Sequence, residues 1–240
     1  MPFGATIYKS SHFILNNRPA RGIIVAARVY LPFICTITPL IGLLSAKKVS
    51  SQDMKNIKAK IVEYYPMSDE ALEAMLGSMT PMQCPKNTLL VRSGVTDRNV
   101  YFIEEGVTRS IFHKDGTDTT TWFSMEGDTT FGMHSLYHSK PSVESIETLT
   151  DCLIYKIPIE KLNSLYEKYI DIANWGRVIH QECNILLSHL FVERLQLPPK
   201  ERYRKFLEHY PGLLNRVKLK HIAEFLGISI YTLSRIRSTK

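Results

Sequence analysis

Between residues 88 and 157 the chain breaks into short runs rich in β-branched and aromatic residues. They read TLLVRSG, NVYFIEEG, VTRSIFHKDG, TDTTTWFSMEGD and DCLIYKI, with glycines at 94, 106, 116 and 127. Runs so short and so bounded are strands rather than helices. KDGT at 114–117 is a hairpin signal, because Asp-Gly supplies the positive φ angles of a tight primed turn. Strands spaced at about ten residues with such turns predict a closed antiparallel barrel or a jelly roll.

Helical spacing brackets this region. DEALEAMLGSM (69–79) places Leu72, Met75, Leu76 and Met79 on one face, and PIEKLNSLYEKY (158–169) returns to helix. Residues 169–197 form one long helical candidate with an apolar stripe of Ile172, Trp175, Ile179, Cys183, Leu186 and Leu190. Such a stripe packs on the barrel or pairs with its twin across a dimer axis. The spacing leaves both readings open.

The last segment is different in charge. The 240 residues carry a formal net charge of +7. Residues 1–53 contribute +5, residues 54–197 contribute −5 and residues 198–240 contribute +7. A basic end on an acidic body points to a polyanion there. PPKERYRKFLEHYPG (198–212) reads as a helix opened by proline and stopped by Pro211-Gly212. VKLKHIAEFL (217–226) is a second helix, Gly227 permits a left-handed corner, and Ser229 is an N-cap for a third. This is the helix-turn-helix pattern, with Ala223 small enough for the helix crossing.

If Leu233 and Ile236 pack inward, the helical period sends Ser229, Ile230, Tyr231, Ser234, Arg235 and Ser238 outward. Arg235 could pair with guanine or hold a phosphate. Ile230 could touch thymine methyls, and Tyr231 could stack or meet a phosphate. Thr232, Ser229, Lys218 and Lys220 are further phosphate contacts. These nine positions are the candidate DNA-binding residues. A basic helical subdomain that docks an acidic protein partner is the other reading of the same pattern.

The N-terminal stretch GIIVAARVYLPFICTITPLIGLL (22–44) is apolar and long enough to span a bilayer. Arg28, Pro32 and Pro39 argue against insertion, a central arginine costing about 2.5–3.5 kcal/mol. Three readings of residues 1–53 stand: a coding start that really lies at Met54, a membrane anchor, or an ordered soluble extension. The cysteines at 35, 84, 152 and 183 are scattered with no C-x-x-C pair. That offers nothing to a zinc ribbon or iron–sulfur cluster and fits free thiols in a reducing cytoplasm.

The residues ERYRKFLEHYP, IAEFLGIS and TLSRIR, after a glycine-punctuated barrel and a long helix, resemble the Crp/Fnr family of bacterial transcription regulators over about residues 56–240. The resemblance implies an α+β fold. A cyclic-nucleotide-binding-type barrel would occupy 54–168, a dimerisation helix 169–197 and a helix-turn-helix domain 198–240. It implies a cytoplasmic homodimer whose partners are double-stranded DNA, RNA polymerase and a small-molecule effector. It implies no catalytic residues, metal or cofactor.

The chain departs from the nucleotide-binding members at the phosphate cassette, here GDTTFGMHSLYHSKPSVESIETL (127–149). Gly132 is followed by Met133 rather than glutamate. Ser142-Val143 stands where those members carry arginine–serine, and no arginine lies from 110 to 176. A buried cyclic phosphate without its arginine is an uncompensated charge, so cyclic AMP is not the expected effector. Gly132, Met133, His134, Ser142 and Val143 are the candidate effector contacts. His134 and His138, four residues apart, would share a face only on a helix, and the sequence reads this stretch as a loop.

Overall fold

The computed structural model of the chain describes residues 53–238. The apolar stretch 22–44 lies outside the described residues. Among those described, no helix is long and apolar enough to cross a membrane.

Eight strands build two four-stranded antiparallel sheets. They are β1 (Thr80–Cys84), β2 (Leu89–Val91), β3 (Asn99–Glu105), β4 (Thr108–Lys114), β5 (Thr117–Ser124), β6 (Thr129–Thr130), β7 (Glu144–Thr148) and β8 (Cys152–Pro158). One sheet runs β1-β8-β3-β6 and the other β2-β7-β4-β5. The hairpin at KDGT joins β4 to β5 with Asp115 at φ 50° and Gly116 at φ 72°, both positive as a primed turn demands. The expected roll is present. Its reading from sequence lacked β1, β6 and β7, and it lacked the first helix.

The helices are α1 (Lys55–Tyr64), α2 (Asp69–Leu76), α3 (Met133–His138), α4 (Ile159–Lys168), α5 (Ile170–Gln196), α6 (Pro199–His209), α7 (Leu219–Leu226) and α8 (Ile230–Ser238). The α3 helix corrects the loop expected in the cassette. Between the β6 and β7 strands the chain winds one short helix, and the rings of His134 and His138 stand 6.0 Å apart on it.

Three apolar clusters explain the layering. Cys84, Leu90, Val91, Tyr101, Ile146, Cys152 and Ile154 fill the roll between its sheets. The opposite face of the first sheet, through Val100, Phe102, Tyr155 and Ile157, packs beneath α1, α2, α4 and the start of α5. β3 and β8 are thus covered on both sides, which is why they read as nearly unbroken apolar runs. Phe102 stacks on Trp175 of α5 at 6.0 Å. The start of α1 is closed by buried Glu104 of β3, whose carboxylate accepts from the Asn56 and Ile57 amides at 2.9–3.1 Å. A negative group belongs at that positive helix end. The third cluster joins Val107, Phe123 and Leu149 of the second sheet to α6, α7 and α8.

Candidate nucleic-acid interface

The candidate surface is built by local signals. Gly227 takes the left-handed conformation at φ 65°, ψ 40° and turns the chain between α7 and α8. Ser229 then caps α8, its Oγ accepting from the Thr232 amide at 3.1 Å. Leu233 is fully buried and Ala223 nearly so at the helix crossing. Ile236 is half-buried, less than the inward position expected of it.

These anchors turn the predicted face outward. Ser229, Ile230, Tyr231, Ser234, Arg235 and Ser238 are exposed, and Tyr231 keeps 84% of its surface. Thr232 is half-buried with its hydroxyl 2.9 Å from that of Ser229. Lys218 and Lys220 are exposed on the neighbouring helix, and Lys220 sits 3.8 Å from Glu224 one turn on. Eight of the nine candidates are therefore exposed around the start of α7 and along α8, and Arg237 is exposed beside them in the chain. No carboxylate lies within α8 itself, so its face offers donors and apolar surface.

What the sequence did not reveal is how these helices meet the roll. Arg109 of β4 is buried and bridges two carboxylates. Its Nε donates to Glu147 of β7 at 2.8 Å, and its Nη1 donates to Glu224 of α7 at 3.0 Å. Thr120 of β5 donates to the same Glu224 oxygen at 2.7 Å. His221 lies beside them. Burial, and then the charge of Arg109, push its imidazole below the usual value. A second tie lies at the rim, where Arg216 makes a two-pronged bond to Glu126 at 2.6 and 2.8 Å. Burial works to raise the Glu126 carboxyl, but Arg216 and the Gly106 amide hold it below the usual carboxylate range. Phe123, Phe206, Tyr210 and Phe225 pack together in edge-to-face and tilted pairs, with ring centroids 5.2–6.2 Å apart. The signal for Arg109 was present in the sequence: a charge inside a strand run at a core-facing position needs a partner.

The candidate effector positions lie elsewhere. Gly132 starts α3, and a Cβ there would come within 2.9 Å of the Ser142 hydroxyl. Ser142 is buried, and its hydroxyl donates to the Glu144 carbonyl at 2.8 Å. Met133, His134 and Val143 are exposed. Gly132 and Ser142 are thus brought together and packed against one another, while the other three face solvent. None of the five lines either of two clefts beside the C-terminal helices. One is an apolar groove of about 460 Å³ bordered by Leu187, Phe191 and Phe225. The other is a polar cleft of about 190 Å³ bordered by Lys86, Lys218 and His221.

The α5 helix serves the roll with its first turns only. Ile172 and Trp175 are buried, but Ile185, Leu187, Val192, Phe191 and Leu195 are exposed, the last two at 65% and 70%. These residues extend beyond the stripe marked in the sequence and leave the distal helix apolar on several sides.

Residues 81–169, from β1 to the end of α4, match the family model described as the cyclic nucleotide-binding domain. No curated protein matches the chain. Its fold is similar to that of FixK2 from Bradyrhizobium japonicum, with a TM-score of 0.57 and 19% identity over 67% of this chain and 83% of that one. It is similar to CLP from Xanthomonas campestris, described as a c-di-GMP-responsive global regulator, with a TM-score of 0.55 and 18% identity over 70% and 89%. A protein from Eubacterium rectale described as a Crp/Fnr-family transcriptional regulator aligns with a TM-score of 0.56 and 15% identity over 72% and 85%. The chain carries a cyclic-nucleotide-binding-type domain, and its fold is similar to that of these three proteins.

Proposed function

We propose that this protein is a homodimeric transcription regulator of the Crp/Fnr type that reads duplex DNA with α8. The observation carrying the proposal is the face of α8. Its buried anchor, Leu233, and its N-cap leave Ile230 and Tyr231 exposed at the helix start, the part that reaches base edges in this motif, and Arg235 exposed in the last turn. Lys218 and Lys220 stand beside it for the phosphates. The exposed apolar flank of distal α5 supports self-association, since a helix apolar on several sides needs a cover. Two copies would set two readers on half-sites about 34 Å apart.

The reading takes the effector to be something other than cyclic AMP. Arg109, the nearest arginine before the arginine-free run, is committed to Glu147 and Glu224. The Ser142 side chain is spent on the Glu144 carbonyl.

Selection from random duplexes tests this function. An enriched, two-fold-symmetric motif is expected, with Arg235→Ala losing about 1–3 kcal/mol on that motif and less on random DNA. Salt-labile binding with no enriched sequence would refute specific reading and favour an acidic protein as the partner.

A further inference from the structure

Two cysteines far apart in the chain meet in the fold. Cys84 ends β1 and Cys152 opens β8, and the antiparallel register sets them directly opposite one another. Both are free thiols, buried at 3% and 2% exposure in the apolar cluster inside the roll, so their side chains leave the sheet on the same face. Opposed side chains on neighbouring antiparallel strands have Cβ atoms about 4.5–5.5 Å apart. A disulfide asks for about 3.5–4.5 Å, so a strand shift of about 1 Å closes the gap. The β1 strand is free to make it. It lies at the edge of its sheet, Thr80, Pro81 and Gln83 are exposed, and Pro81 brings no amide to the ladder.

The Cys152 thiol is also tied to the turn between β3 and β4. Its Sγ donates to the Thr150 carbonyl at 3.3 Å and lies 3.7 Å from the Val107 carbonyl. It packs so closely on Gly106 that a Cβ there would collide with it. The Gly106 amide donates to Glu126, and Glu126 holds Arg216 just before α7. A chain of contacts thus runs from the Cys152 sulfur through this turn to Arg216. A disulfide sulfur has no hydrogen to donate, so oxidation removes its hold on the turn.

We propose that Cys84 and Cys152 are a redox-responsive pair, closed by a peroxide to a cross-strand disulfide, and that closure loosens the turn that carries Glu126 and Arg216. One sulfur, as thiolate, attacks the peroxide. The O–O bond breaks, an S–O bond forms, and one water leaves with a sulfenic acid left behind. The second sulfur then displaces the hydroxyl, the S–S bond forms, and a second water leaves. The two thiols give up two electrons and two protons, and one hydrogen peroxide becomes two waters. Burial raises both thiols above their usual range, so the attack waits on local opening of the β1 edge.

The test treats the folded full chain with hydrogen peroxide, blocks remaining thiols on denaturation and maps the digest without reduction. The expected product is a linked pair of peptides carrying Cys84 and Cys152, lighter than their sum by two hydrogens and released by dithiothreitol. Amide exchange reads the consequence. In oxidised wild-type protein the β1 amides should exchange more slowly and the Gly106 amide about threefold faster. Cys84→Ala, which leaves the Cys152 bonds to the turn in place, should show neither change. The pair is overturned if both thiols are recovered blocked or singly oxidised, or if the link forms only after denaturation. The coupling to the turn is overturned if the link forms and Gly106 exchange stays the same, or if Cys84→Ala gives the wild-type response. The linked-peptide map stands by itself should the variant fold poorly, and none of these readouts needs DNA.

Discussion

Replacing Glu224 with alanine is the sharpest probe of how the C-terminal helices are held. The carboxylate is 13% exposed and faces Arg109, itself 7% exposed in its side chain. It accepts from Arg109 at 3.0 Å and from Thr120 at 2.7 Å through one oxygen. A hydrogen bond involving a charged group contributes about 1.5–3 kcal/mol. Deleting one partner of a buried pair costs about 3–5 kcal/mol when the other charge is stranded. Arg109 is not stranded, because Glu147 still holds it at 2.7 Å. The expected loss therefore lies near the bottom of that range, about 3 kcal/mol. The aromatic cluster around Phe123 remains, so α7 should stay docked but open more often. Amide hydrogen exchange across α7 measures this directly. At tenfold per ~1.4 kcal/mol, its amides should exchange about a hundredfold faster, with those of α1 unchanged. Thr120→Val, which removes one of the two bonds, should give about half the loss. An acceleration under threefold in Glu224→Ala would refute the reasoning. It would mean that desolvation of the buried ions cancels their attraction.

Other outcomes follow from the same geometry. Phe123→Ala empties the centre of the aromatic cluster and should lower unfolding stability by about 3–5 kcal/mol in urea titrations. The imidazole of His221 is depressed by burial and by Arg109, while Glu224 and Glu147 pull the other way. The folded state thus binds its proton less readily than the unfolded state. Stability is then full above about pH 6.5 and falls as pH drops toward the folded value, a slope that His221→Asn should flatten in pH-resolved denaturation. Phe191→Asp with Leu195→Asp on distal α5 should give monomers by light scattering and weaken binding to a symmetric duplex at least tenfold, with the isolated fold retained. Gly227→Ala forces a positive φ on alanine and brings a Cβ within 2.6 Å of the Arg194 guanidinium, so a loss of about 1–2 kcal/mol is expected in thermal melts.

Much of the molecule is legible in short stretches because the physics there is local. Asp115-Gly116 fixes a primed turn through its φ angles, and Gly227 and Ser229 set the corner before α8 and its cap in the same way. The 3.6 period places Leu233 inward and Tyr231 outward without reference to any other segment. The short strands β1 and β6 were not legible. TPMQC carries a proline and little β-branching, and it becomes a strand because β8 offers an edge to pair with. Nor was α3, whose six residues are too few to display a period.

The sequence by itself determined a glycine-turned roll, a long helix and a basic set of C-terminal helices, because dihedral preference and side-chain periodicity are properties of neighbours along the chain. Only the tertiary structure decided that Arg109 meets Glu224, 115 residues away, that Phe123 holds the C-terminal helices to the second sheet, and that Lys86 joins Lys218 and His221 around one cleft. Those pairings depend on which sheet face the last helices cover. That choice is made by summed burial of distant surfaces, a quantity no short window of sequence contains.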